Sequence, residues 1–208
     1  MPKSDLASRS SALPELGVMT NVEHAAAGIG STPRDVEGFR LRRFTPDDFE
    51  AVHSILSSRD DMTWEHVQAT PTYSRSLLDY RIWHYVTYGF GIMAVEDPLS
   101  NVMGQAGLQV LSDVAVEGIE LVIFLRPDCV GTGLGRKLAR YYVQIASECG
   151  MSELYATFRH DNARAKALVD RLGFQALGDT VHFGVQCALC RLPLKNKPLT
   201  ADGPTPER

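Results

Sequence analysis

Apolar residues between positions 39 and 192 recur at two spacings, and the places where one spacing gives way to the other mark out the elements. Residues 39–44 alternate as a first strand, and Thr45-Pro46-Asp47-Asp48 then offers a cap, a proline for the first turn and a carboxylate to return the cap. Phe49, Val52, Ile55 and Leu56 lie at helical spacing, and a second helical pattern through Leu78, Ile82 and Tyr85 runs until Gly89. Residues 92–95 and 102–111 read as strands around the turn Asp97-Pro98-Leu99-Ser100-Asn101. Residues 118–126 form a third strand of this group, whose run Leu121-Val122-Ile123-Phe124-Leu125 is that of a strand buried on both faces.

From residue 133 to 149, Leu134, Leu138, Tyr141, Tyr142, Ile145 and Cys149 share one helical face, opposite Arg136, Lys137, Arg140, Gln144 and Glu148, and Gly150 ends the pattern. Residues 154–158 read as a strand, Asp161 or Asn162 caps a helix through Ala165, Leu168, Val169 and Leu172, Gly173 stops it, and residues 181–192 form the last strand. The order β, α, α, β, β, β, α, β, α, β predicts a mixed α/β sheet with helices on its faces. Residues 1–37 and 195–208 show neither period, so a disordered arm and tail are expected around one domain over residues 38–194.

Composition narrows the function classes. The chain has 208 residues, a hydrophobic fraction of 44% and a formal net charge of −4, which suit one folded domain and give no basic footprint for nucleic acid. No apolar run is long enough to span a bilayer and no secretory leader pattern opens the chain, so a cytoplasmic protein without a membrane partner is expected. Cys187 and Cys190 have the Cys-x-x-Cys spacing of half a zinc site, but on a strand residues three apart face opposite sides. They read as structural thiols, and no metal is expected.

Gly131-Thr132-Gly133-Leu134-Gly135 lies between a buried strand and a helix, where unpaired backbone N–H groups and the helix dipole make an anion site. A dinucleotide fingerprint would need glycine where Arg136 stands, and a Walker loop would need a Gly-Lys-Ser/Thr that is absent. A phosphate-bearing ligand other than those two is the natural occupant; a tight glycine turn without a ligand is the alternative.

The loop and its neighbours together resemble the GNAT acetyltransferase superfamily, especially its RimJ/RimL-like branch. The matching segments are Leu41-Arg42-Arg43-Phe44-Thr45-Pro46-Asp47-Asp48, Tyr88-Gly89-Phe90-Gly91-Ile92-Met93-Ala94-Val95, Glu120 to Pro127, the loop, and Asn162-x-x-Ala165 running to Leu172-Gly173-Phe174. The resemblance implies a mostly antiparallel sheet flanked by helices on both faces, and acetyl-CoA or another acyl-CoA as co-substrate. It places the backbone of Phe124 and Leu125, the loop Val130, Gly131, Thr132, Gly133, Leu134, Gly135 and Arg136, and Asn162 against the cofactor. Val130 stands where the family pattern Gln/Arg-x-x-Gly-x-Gly/Ala has Gln or Arg, so that side-chain contact is lost while the backbone donors remain. Asn162 also reads as a plain N-cap.

The implied chemistry is transfer of an acyl group to a primary amine of a protein N-terminus or a small molecule. The amine must be neutral to attack: a lysine amine is neutral about once in 2,500 at pH 7, an α-amine more than about a tenth of the time. Glu120 is the candidate base, with the end of a strand or an ion pair as its plain reading. The family's acid positions hold Val169 and Ala165, neither of which can donate a proton, leaving Tyr155 or Cys129 as substitutes. That gap motivates a second reading, a non-catalytic module that binds or senses acyl-CoA. A homodimer is common in this fold, though no residue pattern here requires one.

Overall fold

The computed structural model describes residues 34–36, 38–58, 69–111, 114, 116–182 and 184–195. The expected disordered arm up to residue 33 and the tail from residue 196 lie outside the described residues.

Among the described residues, eight strands and four helices follow one another as β1 (Arg34–Val36), β2 (Phe39–Arg42), α1 (Phe49–Ser57), α2 (Pro71–Tyr88), β3 (Ile92–Glu96), β4 (Val102–Leu111), β5 (Gly118–Leu125), α3 (Leu134–Glu148), β6 (Glu153–Arg159), α4 (Ala163–Leu172), β7 (Gln175–His182) and β8 (Val185–Pro193). One sheet contains all eight strands in the order β1-β2-β3-β4-β5-β6-β8-β7. Every neighbouring pair is antiparallel except β5 and β6, which are parallel and are joined through the crossover helix α3. This is the mixed, mostly antiparallel sheet that the resemblance implied.

The strands alternate between two apolar layers. Val95, Ala106, Leu108, Ile119, Leu121, Leu154, Ala156 and Phe158 pack with Leu134, Leu138, Tyr142 and Ile145 of α3 and Val169 of α4. The intervening Ala94 and Val122 face the other way and pack with Val52 and Leu56 of α1 and Leu78 of α2. The helices therefore cover both faces. Tyr142, the largest of the fully buried side chains, satisfies its hydroxyl by donating to the Ala106 carbonyl at 3.0 Å.

The helix entrances follow from local chemistry. Asp48 Oδ2 accepts from the Thr45 N–H at 2.7 Å, as the cap reading required, and the same carboxylate takes a bidentate pair from Arg42 at 2.6 and 2.7 Å. At α2 the Thr70 hydroxyl accepts from the Tyr73 N–H at 3.2 Å and Pro71 opens the helix.

Two features differ from the sequence reading. β1 lies in the stretch read as an arm, because Val36 tucks its side chain into the core beside Leu41 in a strand of three residues, too short for any period to show. Residues 181–192 are not one strand: the chain turns at Gly184 and two strands form a hairpin, β7 pairing along β8. β7 is the outermost strand and exposes Gln175 through Asp179, so it lacks the apolar alternation that betrays a half-buried strand. Cys187 and Cys190 lie on β8, both buried and both free thiols, with burial pushing Cys187 up to about 11.

Candidate active site

β5 and β6 are paired through Glu120 and Tyr155 alone, whereas β5 is paired with β4 over its whole length. Beyond that contact β5 runs on through Val122, Ile123, Phe124 and Leu125 with β4 on one side and a split in the sheet on the other. The backbone of Phe124 and Leu125 is thus where an extended polar chain can add itself as a strand.

Glu120 closes the vertex of the split. Its Oε1 accepts from the Thr157 backbone N–H at 3.2 Å and from the Thr157 hydroxyl at 2.5 Å, so the side chain ties β5 to β6 where the backbone ladder ends. Its Oε2 accepts from Gln109 Nε2 at 2.7 Å, and Gln109 Oε1 in turn accepts from Arg81 of α2. Thr157 Oγ1 also meets His182 Nδ1 at 3.0 Å. Glu120, Arg81, Gln109 and His182 are all buried, with Glu120 only 3% exposed.

The glycine loop follows β5 after a short 3-10 turn, Pro127–Cys129. Gly131 and Gly133 adopt φ of +85° and +90°, conformations that side chains with a Cβ resist, and a Cβ built on either meets nothing within 4 Å. The space above both is open. Thr132 ties the loop back by donating to the Cys129 carbonyl at 2.7 Å. Among the described residues the first N–H returned along α3 is that of Lys137, to Gly133 at 3.1 Å, so the N–H groups of Gly135 and Arg136 point out of the helix end. Leu134 is buried beneath the loop, Val130 is half-buried, and Gly131, Thr132 and Arg136 are exposed. Gly135 is helical, and a Cβ there would lie 3.6 Å from Leu125 Cδ1, which sets the helix end directly against the open part of β5. An anionic head on the loop and a long polar arm along β5 are the ligand features this geometry suits.

Asn162 caps α4, its Oδ1 accepting from the Ala165 N–H at 2.9 Å; the cap does not use the two donors of its amide nitrogen. Val169 is buried and Ala165 half-buried, and both are apolar. Tyr155 donates to Glu153 Oε1 at 2.5 Å, and burial together with that bond pushes its hydroxyl up to about 12. Cys129 is buried and its thiol is pushed up by burial and by the neighbouring Asp128 charge, toward which the S–H points at 3.5 Å. Both substitutes hold their protons against other partners, so neither is poised as an acid.

The structure thus brings Glu120, the end of β5 at Phe124 and Leu125, and the loop from Val130 to Arg136 to one end of the split. Gln109, Thr157 and His182, which complete the surroundings of Glu120, were not singled out from the sequence. Gln109 and Thr157 carried a faint signal as polar positions in otherwise apolar strands; His182 carried none, because residues 181–192 read as one strand and the hairpin that turns after His182 left no signal. His84, on α2, is also buried: its Nδ1 meets the Phe90 carbonyl at 3.0 Å and its Nε2 accepts from the Val110 N–H at 3.1 Å.

Among the described residues no group of three or more His, Cys, Asp or Glu is arranged to hold a metal ion, and no helix is long and apolar enough to cross a membrane. A family model described as the acetyltransferase (GNAT) domain matches residues 39–175. Among solved structures, the fold is similar to a GNAT-family acetyltransferase of Bordetella pertussis, with a TM-score of 0.67 at 18% identity over 77% of this chain and 98% of that one. It is similar also to a phosphinothricin acetyltransferase of Sinorhizobium meliloti in complex with acetyl-CoA, with a TM-score of 0.60 at 21% identity over 81% and 94% of the two chains. A Salmonella typhimurium protein with its cofactor acetyl-CoA matches with a TM-score of 0.59 at 21% identity over 78% and 97%. With more than half of its length matched by the domain, and the sheet, the split and the glycine loop in place, the chain belongs to the GNAT acetyltransferase family.

Proposed function

We propose that the protein is an acetyl-CoA-dependent N-acetyltransferase acting on a primary amine of a small molecule or a protein N-terminus, with Glu120 as the base. The observation that carries this reading is the position of the Glu120 carboxylate, buried at the vertex of the split between β5 and β6 and acceptor in three hydrogen bonds. The motif matches from Leu41 to Asp48 and around Asn162 favour the RimJ/RimL-like branch.

Acetyl-CoA, when bound, supplies the acetyl group already activated as a thioester. The N–H groups of the helix end at Gly135 and Arg136 suit its pyrophosphate, the backbone of Phe124 and Leu125 its polar arm, and the Asn162 amide nitrogen can join that arm without giving up the cap. Glu120 takes the proton that the amine must lose, directly or through one water. An α-amine, near pKa 7.8, asks little of that base, and a lysine amine near 10.4 asks about 3.5 kcal/mol more.

No side chain at 165 or 169 can protonate the departing sulfur. A thiol of pKa about 8.5 leaves as a thiolate at pH 7 at a cost of roughly 2 kcal/mol, so turnover does not require a dedicated acid. That same gap is what favours the second reading, a module that binds acyl-CoA without turnover. Thiol release from acetyl-CoA in the presence of amino acids, polyamines and short peptides separates the two. Amine-dependent release is expected; binding of acetyl-CoA with no release from any amine class would favour the non-catalytic module.

A further inference from the structure

Outside the residues so far assigned to the reaction, the most developed polar cluster is the one that reaches Glu120 from the C-terminal hairpin. We propose that Thr157 and His182 are positioning residues that hold the Glu120 carboxylate in a single orientation and leave one of its lone pairs for the acceptor amine. The proposal rests on Glu120 being the base.

The hydrogen-bond arithmetic leaves little choice. The Thr157 hydroxyl has one proton, and at 2.5 Å from Oε1 it is given to the carboxylate, which has none to offer. At the 3.0 Å contact with His182, Oγ1 must then accept, so Nδ1 of His182 carries the hydrogen. The order of donation is His182 to Thr157 to Glu120. A carboxylate has about four lone-pair positions. The Thr157 N–H and hydroxyl fill two on Oε1, and Gln109 fills one on Oε2 with Arg81 behind it. The remaining position, on Oε2, is the one open to an incoming N–H.

Register places Thr157 beside Glu120, and the end of the β7–β8 hairpin brings His182 across to Thr157. Glu120 is opposite Tyr155, and Thr157 is two residues further along β6, on the same face and just past the point where the ladder ends. β8 lies beside β6 with Leu189 opposite Thr157, and β7 lies outside β8, its last residue His182 opposite Val185. His182 is beyond residue 175, where the match to the family domain ends. The hairpin is therefore more than an edge to the sheet: it supplies the donor that fixes the Thr157 hydroxyl. Among the described residues, the charged and titratable groups that act on this cluster are Arg81 from α2 and Cys187 from β8, with Arg159 of β6 acting on Cys187 in turn.

The test compares isosteric and conservative variants in the full-length protein. Thr157→Val keeps the shape and removes the hydroxyl; Thr157→Ser keeps the hydroxyl. His182→Leu removes the donor; His182→Asn keeps an N–H near the position of Nδ1. Thr157→Val is expected to lower kcat by about ten- to a hundredfold, the loss of one hydrogen bond to a charged group. The KM for acetyl-CoA should stay within about twofold, and the acidic limb of the kcat/KM profile should move to higher pH, because a donor to the ionised form is gone. Thr157→Ser and His182→Asn should recover most of the lost turnover, and His182→Leu should not. Independently of turnover, the ring nitrogen shifts of labelled His182 should report an Nδ1–H tautomer in the wild type and lose that signature in Thr157→Val.

Wild-type turnover and an unmoved pH profile in Thr157→Val would overturn the proposal, as would His182→Asn no better than His182→Leu or an Nε2–H tautomer in the wild type. If Glu120→Gln kept full turnover, it would be the base assignment that failed, and this proposal with it. Thermal stabilisation by CoA, unchanged in each variant, confirms that the fold is intact; should Thr157→Val not fold, the His182 pair and the tautomer decide alone.

Discussion

Glu120 is surrounded by donors and buried, and that combination makes removal of its charge a sharp experiment. Glu120→Gln replaces an acceptor oxygen by a donor NH2 that faces either Thr157 or Gln109, so both the proposed base and its setting are lost. Turnover should fall by about a hundredfold or more while acetyl-CoA affinity, which the proposal assigns to the loop and β5, stays within about threefold. Parallel initial-rate and calorimetric measurements check the two halves of that statement, and loss of both together would place Glu120 in binding rather than proton transfer. Much of the candidate site was legible because its determinants are local: glycines at the start of a helix, a carboxylate at a fixed place on a strand, a cap residue. Thr157 and His182 were not, because what brings them to Glu120 is strand register and a hairpin, neither of which leaves a trace in the spacing of residues 120, 157 and 182.

At the scale of elements, α2 is joined to the sheet by His84, which spans the Phe90 carbonyl and the Val110 N–H where β4 has run past the end of β3. The Val110 N–H can only donate, so Nε2 must accept and the ring must be neutral. Burial, reinforced by the Arg81 charge and opposed by the Phe90 bond, lowers His84 to about 4. The unfolded chain binds a proton near 6.5 and the native ring does not until about 4, so this contribution is complete above 6.5 and is lost as the pH falls toward 4. Denaturant unfolding should show roughly 2 kcal/mol less stability at pH 5 than at pH 7.5 from this group, a difference that His84→Gln should largely remove.

The loop permits a second contrast between neighbours. Gly133→Ala puts a Cβ on a left-handed residue and should cost about 1–2 kcal/mol of stability while weakening acetyl-CoA binding by about tenfold. Gly135→Ala, with a helical backbone and only the ordinary 3.6 Å contact to Leu125, should leave stability within about 0.5 kcal/mol. Equal effects at the two positions, read by unfolding and by titration with acetyl-CoA, would count against the loop geometry. The four helices and the strands β3 to β6 followed from periodicity, whereas β7 did not. As an exposed edge strand its side chains bury little, and its order comes from backbone pairing with β8.

The described part of the molecule is an antiparallel sheet interrupted near its middle by one parallel pair, and the proposed site lies at the interruption. The crossover from β5 through α3 to β6 was visible as strand, glycine loop, helix, strand, and a crossover of that length is what parallel neighbours need. The order of β6, β8 and β7 was not, since nothing in the chain says that β8 inserts between β6 and β7. Binding of acetyl-CoA by the split and the loop together is best read in thermal unfolding. Acetyl-CoA at millimolar concentration should raise the midpoint by several degrees, increasing with the logarithm of its concentration, while ATP and NAD at the same concentrations should not. A midpoint that acetyl-CoA does not move, or that ATP and NAD raise equally, would contradict it.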